Sequence, residues 1–170
     1  MMSNEERALL LAQRIHQNEQ YDIYPYIYHI IEIRDIAKKL GYDEEIVVAC
    51  ILHDTLEDGA ISYNDIKKAF GERVADIVYD VTDELGKNRK ERKEKTYPKT
   101  KANWKAIVVK LCDRIANVRH SGIYAPDKYK MYQREHFDFC EALGGESLLI
   151  THIEINRAYI VLEREMSKSK

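Results

Sequence analysis

The chain has 170 residues, of which 45% are hydrophobic and 33% are charged, a balance typical of globular rather than disordered proteins. This length predicts one domain, residues 1–170. The formal net charge of -2 argues against a nucleic-acid partner, because general nucleic-acid binders are usually basic. The N-terminal residues lack the pattern of a secretory leader, and no apolar run approaches the ~20 residues of a membrane span. We therefore expect a cytoplasmic chain with no membrane partner.

Helical periodicity and capping residues predict the first half of the chain. A first helix begins after Ser3, which forms a capping box with a glutamate three residues later. A second helix covers about 26–40. A third follows Asp43 and contains the almost wholly apolar run 46–52, which favours a buried central helix. The segment 62–71 has the capping residues of a short fourth helix.

The second half of the chain continues the helical pattern, with one interruption. Helices are predicted over 72–85, 104–118, 126–143 and 146–166. Residues 86–101 form a polar, mostly basic stretch in which the helical pattern is lost. No alternating strand pattern with a hairpin turn is evident. The sequence thus predicts an all-α fold, a bundle of about seven to eight helices.

The three cysteines carry a prediction about their chemistry. Cys50, Cys112 and Cys140 lie far apart and form no C-x-x-C pair. An unpaired set of this kind is typical of a reducing cytosol. We expect all three to be buried free thiols.

A polar segment ends the most apolar helix and is the main chemical signal. It reads His53, Asp54, Thr, Leu, Glu57, Asp58. On a helix, His53 and Asp54 point about 100° apart and can both reach one cation, while Glu57 and Asp58 follow them by four residues each and share their faces. Acidic groups here repel one another and oppose the helix dipole unless a cation compensates them. A solvent-exposed helix end would explain Glu57 and Asp58 but explains His53 and Asp54 less well.

Two further residues complete a mixed nitrogen and oxygen donor set. His29 lies on the inward face of the second helix, and Asp113 interrupts the apolar run that begins at Ile107. A lone histidine among apolar residues is usually part of the core, but a mid-helix aspartate is seldom buried without a partner. Two imidazoles and two carboxylates suit Mn²⁺, Fe²⁺, Zn²⁺ or a similar ion and leave positions open for a phosphate oxygen.

The order of these residues resembles a known family. The pattern His, His-Asp, Asp is similar to the HD superfamily of phosphohydrolases. The longer pattern resembles one branch, the RelA/SpoT-type hydrolases of the alarmone (p)ppGpp and their small stand-alone relatives. The segments that match in order and approximate spacing are residues 25–29, 53–58, 81–83 and 109–119.

The resemblance implies an HD-domain helical bundle around one metal site. The implied ligands of a divalent ion, Mn²⁺ in the family, are His29, His53, Asp54 and Asp113. Glu57 and Asp58 are then expected to orient and activate a water molecule, and Asn117 to contact the nucleotide. The family removes pyrophosphate from the 3′ position of a guanosine nucleotide, so a phosphorylated nucleotide is the expected small-molecule partner.

One departure from the family concerns positive charge. The family usually carries a basic pair before the segment at 25–29, whereas residues 16–24 contain no lysine or arginine. The basic stretch could replace that pair as a flap that binds phosphate, or it could be a solvated loop. The residues expected to bind substrate in the first case are Arg89, Lys90, Arg92 and Lys93. The tyrosines at 21, 24, 26 and 28 could stack on a base or pack against the first helix.

Three functional hypotheses remain open from the sequence. The first is a (p)ppGpp pyrophosphohydrolase. The second keeps the site but takes another substrate, such as a nucleoside monophosphate or a dinucleotide cofactor. The third is a helical sensor that binds a nucleotide or metal without turnover. The Glu57 and Asp58 pair favours an enzyme, because a pure binder has less need of a water-activating group.

Overall fold

The computed structural model describes residues 2–57 and 59–168, which contain ten helices and one short hairpin. In chain order the helices are α1 (Asn4–Ile15), α2 (Ile27–Lys39), α3 (Glu44–Leu52), α4 (Tyr63–Phe70), α5 (Glu72–Val81), α6 (Arg89–Ala102), α7 (Trp104–Tyr124), α8 (Pro126–Ala142), α9 (Gly145–Thr151) and α10 (Ile153–Met166). The all-α prediction is confirmed. Among the described residues, no helix has the length and apolar character needed to cross a membrane.

Helix α3 lies at the centre of the bundle. Its N-cap Asp43 accepts a hydrogen bond from the Ile46 backbone N–H at 3.0 Å, as the sequence predicted. Every residue from 46 to 52 is buried, and α3 packs against α1, α2, α5 and α7. A helix that is apolar on all sides requires such complete coverage. Its C-terminal end, followed by His53, is therefore fixed deep inside the protein.

Helix α7 is the longest helix and packs against the central layer. It contacts α2, α3, α5, α6, α8 and α10, and most of its apolar side chains are buried. Asp113 lies at its middle, on the side that faces α2. Three packed helices, α2, α3 and α7, thus bring chain segments far apart in sequence to one place.

The basic stretch is helical, so the prediction of a segment without regular structure is wrong. Asn88 caps α6 by accepting a hydrogen bond from the Glu91 backbone N–H at 2.9 Å. The fully buried side chains of α6 are Thr96 and Thr100. The Thr100 hydroxyl donates to the Asp80 carbonyl of α5 at 2.6 Å. Because its buried face is polar, α6 lacks the apolar periodicity by which a helix is recognised.

A division of the last helix, together with α6, explains why there are more helices than predicted. The last predicted helix is divided at His152, whose extended backbone ends α9 and whose ring accepts a hydrogen bond from the Ile155 N–H at the start of α10. The predicted absence of a hairpin is also wrong. Strands β1 (Gln20–Tyr21) and β2 (Tyr24–Pro25) pair antiparallel, with Tyr21 opposite Tyr24. Two-residue strands are too short to show an alternating pattern.

The cysteines have the predicted environment. Cys50, Cys112 and Cys140 are all buried and free. Cys50 and Cys112 belong to the apolar interior formed by α3 and α7, whereas Cys140 lies near the C-terminal end of α8.

Candidate metal-dependent active site

The residues predicted to bind a metal converge where α2, α3 and α7 meet. One ligand atom from each of His29, His53 and Asp113 lies within 4.8 Å of the others, and His29 Nε2 is 3.2 Å from Asp113 Oδ1. Asp54 joins the group through Oδ2, which is 2.9 Å from His53 Nε2. The structure thus brings together four side chains from three separate parts of the sequence.

Neighbouring groups fix the orientation of these side chains. His53 Nδ1 is 3.0 Å from the Cys50 carbonyl oxygen. Because a carbonyl only accepts, Nδ1 carries a proton and donates to it, and the ring is held with Nε2 toward the cluster. The His29 ring stacks on Tyr21 with 4.3 Å between ring centroids, and the Tyr26 hydroxyl donates to Asp54. These contacts hold donor atoms in place before any ion binds.

The electrostatics of the cluster favour a cation. Burial lowers the pKa of His53, but the charges of Asp54 and Asp113 outweigh burial and raise this pKa to about 9. Burial likewise opposes ionisation of Asp54, yet His53 holds the pKa of Asp54 well below its usual range. The carboxylates of Asp54 and Asp113 therefore stay ionised and attract positive charge. The protonated imidazole of His53 carries that charge. His29, His53 and Asp113, with Asp54 beside His53, are nitrogen and oxygen donors of the kind that a divalent transition metal takes.

Glu57 lines the same cavity as His29, Asp54 and Asp113, but the backbone that positions it differs from the prediction. Because α3 ends at Leu52 and residues 53–57 form turns, the predicted helical four-residue spacing is wrong. Instead, Glu57 Oε1 accepts a hydrogen bond from the Asp83 backbone N–H at 3.2 Å. Burial of the carboxylate and the charge of Asp54 raise the pKa of Glu57 to about 7, which suits a general base near neutral pH. The other predicted catalytic residue, Asp58, lies outside the described residues.

Asn117 is engaged within the protein. Its Nδ2 donates to Asp113 Oδ1 at 2.6 Å, and its Oδ1 accepts from the Tyr21 hydroxyl at 2.7 Å. This bridge positions Asp113 and connects it to the hairpin. Of the predicted tyrosines, Tyr21 and Tyr26 line the cavity, whereas Tyr24 and Tyr28 pack against each other outside it.

A cationic cluster forms the other end of the cavity. Arg89 and Lys93 on α6 and Arg114 on α7 surround one oxygen of Glu135 on α8. The distances from Glu135 Oε2 are 3.1 Å to Arg89, 3.5 Å to Lys93 and 3.7 Å to Arg114. The Arg114 guanidinium is buried against the rings of Tyr132 and Phe139, at 4.7 and 4.1 Å from their centroids.

The four basic residues predicted to bind substrate divide into two pairs. Arg89 and Lys93 line the cavity, whereas Lys90 and Arg92 are not among its lining residues. Residues four apart on α6 share a face, so the helix turns Arg89 and Lys93 inward together. Lys90 is solvent-exposed and pairs with Glu94 on the outer surface.

Several residues that line or border the cavity were not predicted from the sequence. Lys110 lines the cavity, donates to the Val81 carbonyl at 2.9 Å and lies 3.5 Å from Asp83 Oδ1. A lysine inside an apolar helical run was a usable signal, because buried lysines require acidic partners. Arg114 directly follows Asp113 in the sequence, but no role was predicted for it. No pattern in the sequence around Glu135 indicated a role for that residue.

The cavity has a volume of about 230 Å³. Its lining includes His29, Asp54, Glu57 and Asp113 at one end and Arg89, Lys93 and Arg114 at the other. A model of the HD domain family matches residues 8–144. The chain belongs to the HD domain family, as the sequence resemblance predicted.

Curated relatives carry related names. A protein from Aquifex aeolicus, named guanosine-3′,5′-bis(diphosphate) 3′-pyrophosphohydrolase, is 38% identical over 116 residues, which cover 65% of this chain and 16% of that protein. The Escherichia coli bifunctional (p)ppGpp synthase/hydrolase SpoT is 31% identical over 156 residues, 87% of this chain and 22% of SpoT. The Drosophila melanogaster pyrophosphohydrolase MESH1 is 30% identical over 116 residues, 66% of this chain and 65% of MESH1. The chain thus spans less than two thirds of each of these relatives.

Solved structures share the fold. The structure of a metazoan SpoT ortholog, described as hydrolysing ppGpp and acting in starvation responses, has a TM-score of 0.72 at 22% identity and covers 98% of each chain. A Listeria monocytogenes crystal structure has a TM-score of 0.58 at 24% identity and covers 82% of this chain and 99% of that one. At these identities the similarity establishes the helical architecture alone.

The donor cluster leads to a prediction about metal content. After soaking in Mn²⁺, the wild-type protein should retain about one ion per chain, and His53→Ala or Asp113→Ala should lose most of it, because each removes a donor. Elemental analysis measures this directly. His120→Ala is the matched control, since His120 pairs with Asp22 and does not belong to the cluster. Equal metal content in all four proteins would contradict the assignment.

Proposed function

We propose that the chain is a metal-dependent nucleotide pyrophosphohydrolase whose leading substrate is (p)ppGpp, from which it removes the 3′ pyrophosphate. The observation that carries this proposal is one cavity with a metal-type donor cluster at one end and three cationic side chains at the other. A substrate with adjacent phosphoryl groups matches this division of charge. The names of the relatives from Aquifex aeolicus, Escherichia coli and Drosophila melanogaster support the same substrate class.

Mn²⁺ is the proposed ion, held by His29, His53, Asp54 and Asp113. When bound, it supplies positive charge to a phosphoryl oxygen and makes a nearby water molecule more acidic. The buried imidazole and carboxylate donors suit Mn²⁺ and related ions rather than Ca²⁺, which prefers oxygen ligands alone.

The remaining chemistry belongs to side chains of the chain itself. Glu57, with a pKa of about 7, takes a proton from the attacking water. The water oxygen bonds to the phosphorus next to the ribose, the bond from that phosphorus to the 3′ oxygen breaks, and this oxygen takes up a proton. Burial lowers the pKa of Lys110, but Asp83 and Asp113 outweigh burial and raise it. Lys110 therefore stays charged and can stabilise the negative charge of the transition state.

The cationic cluster is the proposed binding site for the phosphate groups away from the reacting phosphorus. Arg89 and Lys93 compensate for the absence of lysine and arginine at residues 16–24. Their present partner, the Glu135 carboxylate, is itself an anion with oxygen acceptors. A substrate phosphate can share or replace these contacts, because guanidinium groups bind carboxylate and phosphate with similar geometry.

A second candidate function keeps the site and takes a less charged nucleotide. The observation in its favour is Glu135, which already neutralises part of the cationic cluster. A nucleoside monophosphate or a dinucleotide cofactor would need fewer cationic contacts than (p)ppGpp.

A product screen tests the choice of substrate. With Mn²⁺ present, we expect pyrophosphate release from ppGpp to exceed phosphate release from nucleoside monophosphates and dinucleotide cofactors. Colorimetric detection of both products across the same substrates gives the comparison. Release of phosphate from other nucleotides alone would favour the second candidate. Absence of any turnover by the metal-loaded protein would favour a sensor.

A Glu57 variant tests the proposed general base. Glu57→Gln should lower kcat by roughly 10²-fold or more, because glutamine keeps the shape but cannot accept a proton. Metal content should stay near the wild-type value, since Glu57 is not in the donor cluster. Steady-state kinetics and elemental analysis on the same preparation test both statements. Unchanged kcat would move the role of base to Asp58.

The two pairs of basic residues on α6 supply a matched test of phosphate binding. Replacing Arg89 and Lys93 with Gln should raise KM for ppGpp by about ten- to a hundredfold per lost contact, the scale of a charge-assisted hydrogen bond. The increase should be largest at low salt. Replacing Lys90 and Arg92 with Gln changes the net charge equally but alters only the outer surface, so KM should stay near the wild-type value.

The pH dependence of kcat/KM provides a further check on Lys93. Burial and the charges of Arg114 and Arg89 lower its pKa to about 8. Lys93 is therefore charged below pH 8 and loses its charge above it, so kcat/KM for ppGpp should fall as the pH rises through 8. Lys93→Arg should shift this fall to higher pH.

Two results would show that α6 does not bind substrate. One is an equal KM for the double variant at Arg89 and Lys93 and the double variant at Lys90 and Arg92. The other is an unchanged pH dependence in Lys93→Arg.

A further inference from the structure

A second group of possible ligands lies on α8 and α10, outside the active-site cavity. One ligand atom from each of His136, Cys140 and Glu163 lies within 4.8 Å of the others. His136 Nε2 is 2.5 Å from Glu163 Oε1 and 3.8 Å from Cys140 Sγ. None of the three lines the cavity that holds the first cluster. The group therefore belongs to a different part of the surface.

The local sequence explains why these side chains meet. His136 and Cys140 are four residues apart on α8 and therefore share one face of that helix. Glu163 projects toward them from the last full turn of α10. Cys140 is buried, while His136 and Glu163 are partly exposed. An ion from solution can thus reach a thiol that the protein otherwise covers.

We propose that His136, Cys140 and Glu163 bind one zinc-type divalent ion that links α8 to α10. Thiolate, imidazole and carboxylate are the ligands that Zn²⁺ takes in proteins. The sulfur donor separates this site from the nitrogen and oxygen site proposed for Mn²⁺, because thiolate selects softer ions.

The distances fit a tetrahedral ion with three protein ligands. Ordinary Zn–S and Zn–N bond lengths place sulfur and nitrogen about 3.5 Å apart around a tetrahedral ion. Cys140 Sγ lies 3.8 Å from His136 Nε2 and 3.9 Å from Nδ1, both close to this value. Because the two distances are nearly equal, the partly exposed ring has to rotate to direct one nitrogen at the ion. The Glu163 carboxylate, now hydrogen-bonded to the ring, has to move by less than ~1 Å to become a ligand. Its partial exposure permits that movement.

A redox cysteine and a metal-free ion pair are two competing roles for these side chains, and each predicts different behaviour. Without metal, burial and the charge of Glu163 raise the pKa of Cys140 to about 12, which disfavours a reactive redox cysteine. Binding of the ion would replace the thiol proton, which is released to solvent. A simple ion pair between His136 and Glu163 would bridge the two helices without metal. It requires no role for Cys140, so replacing the sulfur separates the two possibilities.

Metal at this position would also affect the cavity wall. Glu135, which contacts Arg89 and Lys93, is the residue next to His136 on α8. An ion held between α8 and α10 would fix the helix that carries Glu135. The proposed site therefore acts on structure and does not depend on the proposed catalytic function.

Cobalt is the probe, because a thiolate ligand gives Co²⁺ a near-ultraviolet sulfur-to-metal absorption band that oxygen and nitrogen ligands do not. We expect this band when Co²⁺ is added to the full chain. It should be absent from Cys140→Ser, and the apparent Kd should rise at least about tenfold in Glu163→Gln and His136→Asn. Zn²⁺ should displace Co²⁺ and abolish the band.

Control variants show whether the absorption band arises from the site at His136, Cys140 and Glu163. Asp113→Ala, which lacks a donor of the first cluster, should retain the band, and Cys112→Ala should retain it as well. Circular dichroism checks that each variant is folded, and the two partly exposed ligands provide variants if Cys140→Ser is unstable. No band in the wild type, an unchanged band in Cys140→Ser, or loss of the band in Asp113→Ala would overturn the proposal.

Discussion

Ionised carboxylates and imidazole rings attract one another at the centre of the bundle, and the packing of the surrounding helices preserves this attraction. Asp54 and Asp113 face His29 and His53 where α2, α3 and α7 pack together. Buried carboxylates are costly unless a cation compensates them. The apolar run of α3 holds His53 at that point, so the same packing that stabilises the core also assembles the donor set.

The two ends of the cavity differ in charge because different helices form them. The central helices supply the donor cluster, whereas α6 and α8 supply Arg89, Lys93 and Glu135. A phosphorylated substrate lying across both ends would meet metal charge at its reacting phosphorus and cationic side chains at its other phosphates. Glu135 pairs with Arg89 and Lys93. In the proposed function, Arg89 and Lys93 supply the positive charge that residues 16–24 lack.

Most of the bundle could be predicted because helix signals are local, and the donor cluster could be predicted from its resemblance to the HD family. Capping residues such as Asp43 and apolar periodicity mark the helices, and the motif at 53–58 with His29 and Asp113 marks the cluster. The helix α6 was missed because its buried face consists of Thr96 and Thr100 rather than apolar residues. The ion pair of Arg89 with Glu135 joins residues 46 positions apart, so no local pattern could reveal it. The turns at 53–57 that follow Leu52 were also not predicted.

Thermal unfolding with and without Mn²⁺ shows whether the central cluster is a metal site. An ion that binds only the folded state raises its stability, by about 2.7 kcal/mol when the free ion is at a hundred times Kd. We expect Mn²⁺ to raise the Tm of the wild-type protein above its value in chelator and to leave the Tm of Asp113→Ala nearly unchanged. An equal rise in both proteins, or no rise in the wild type, would contradict a metal site at this position.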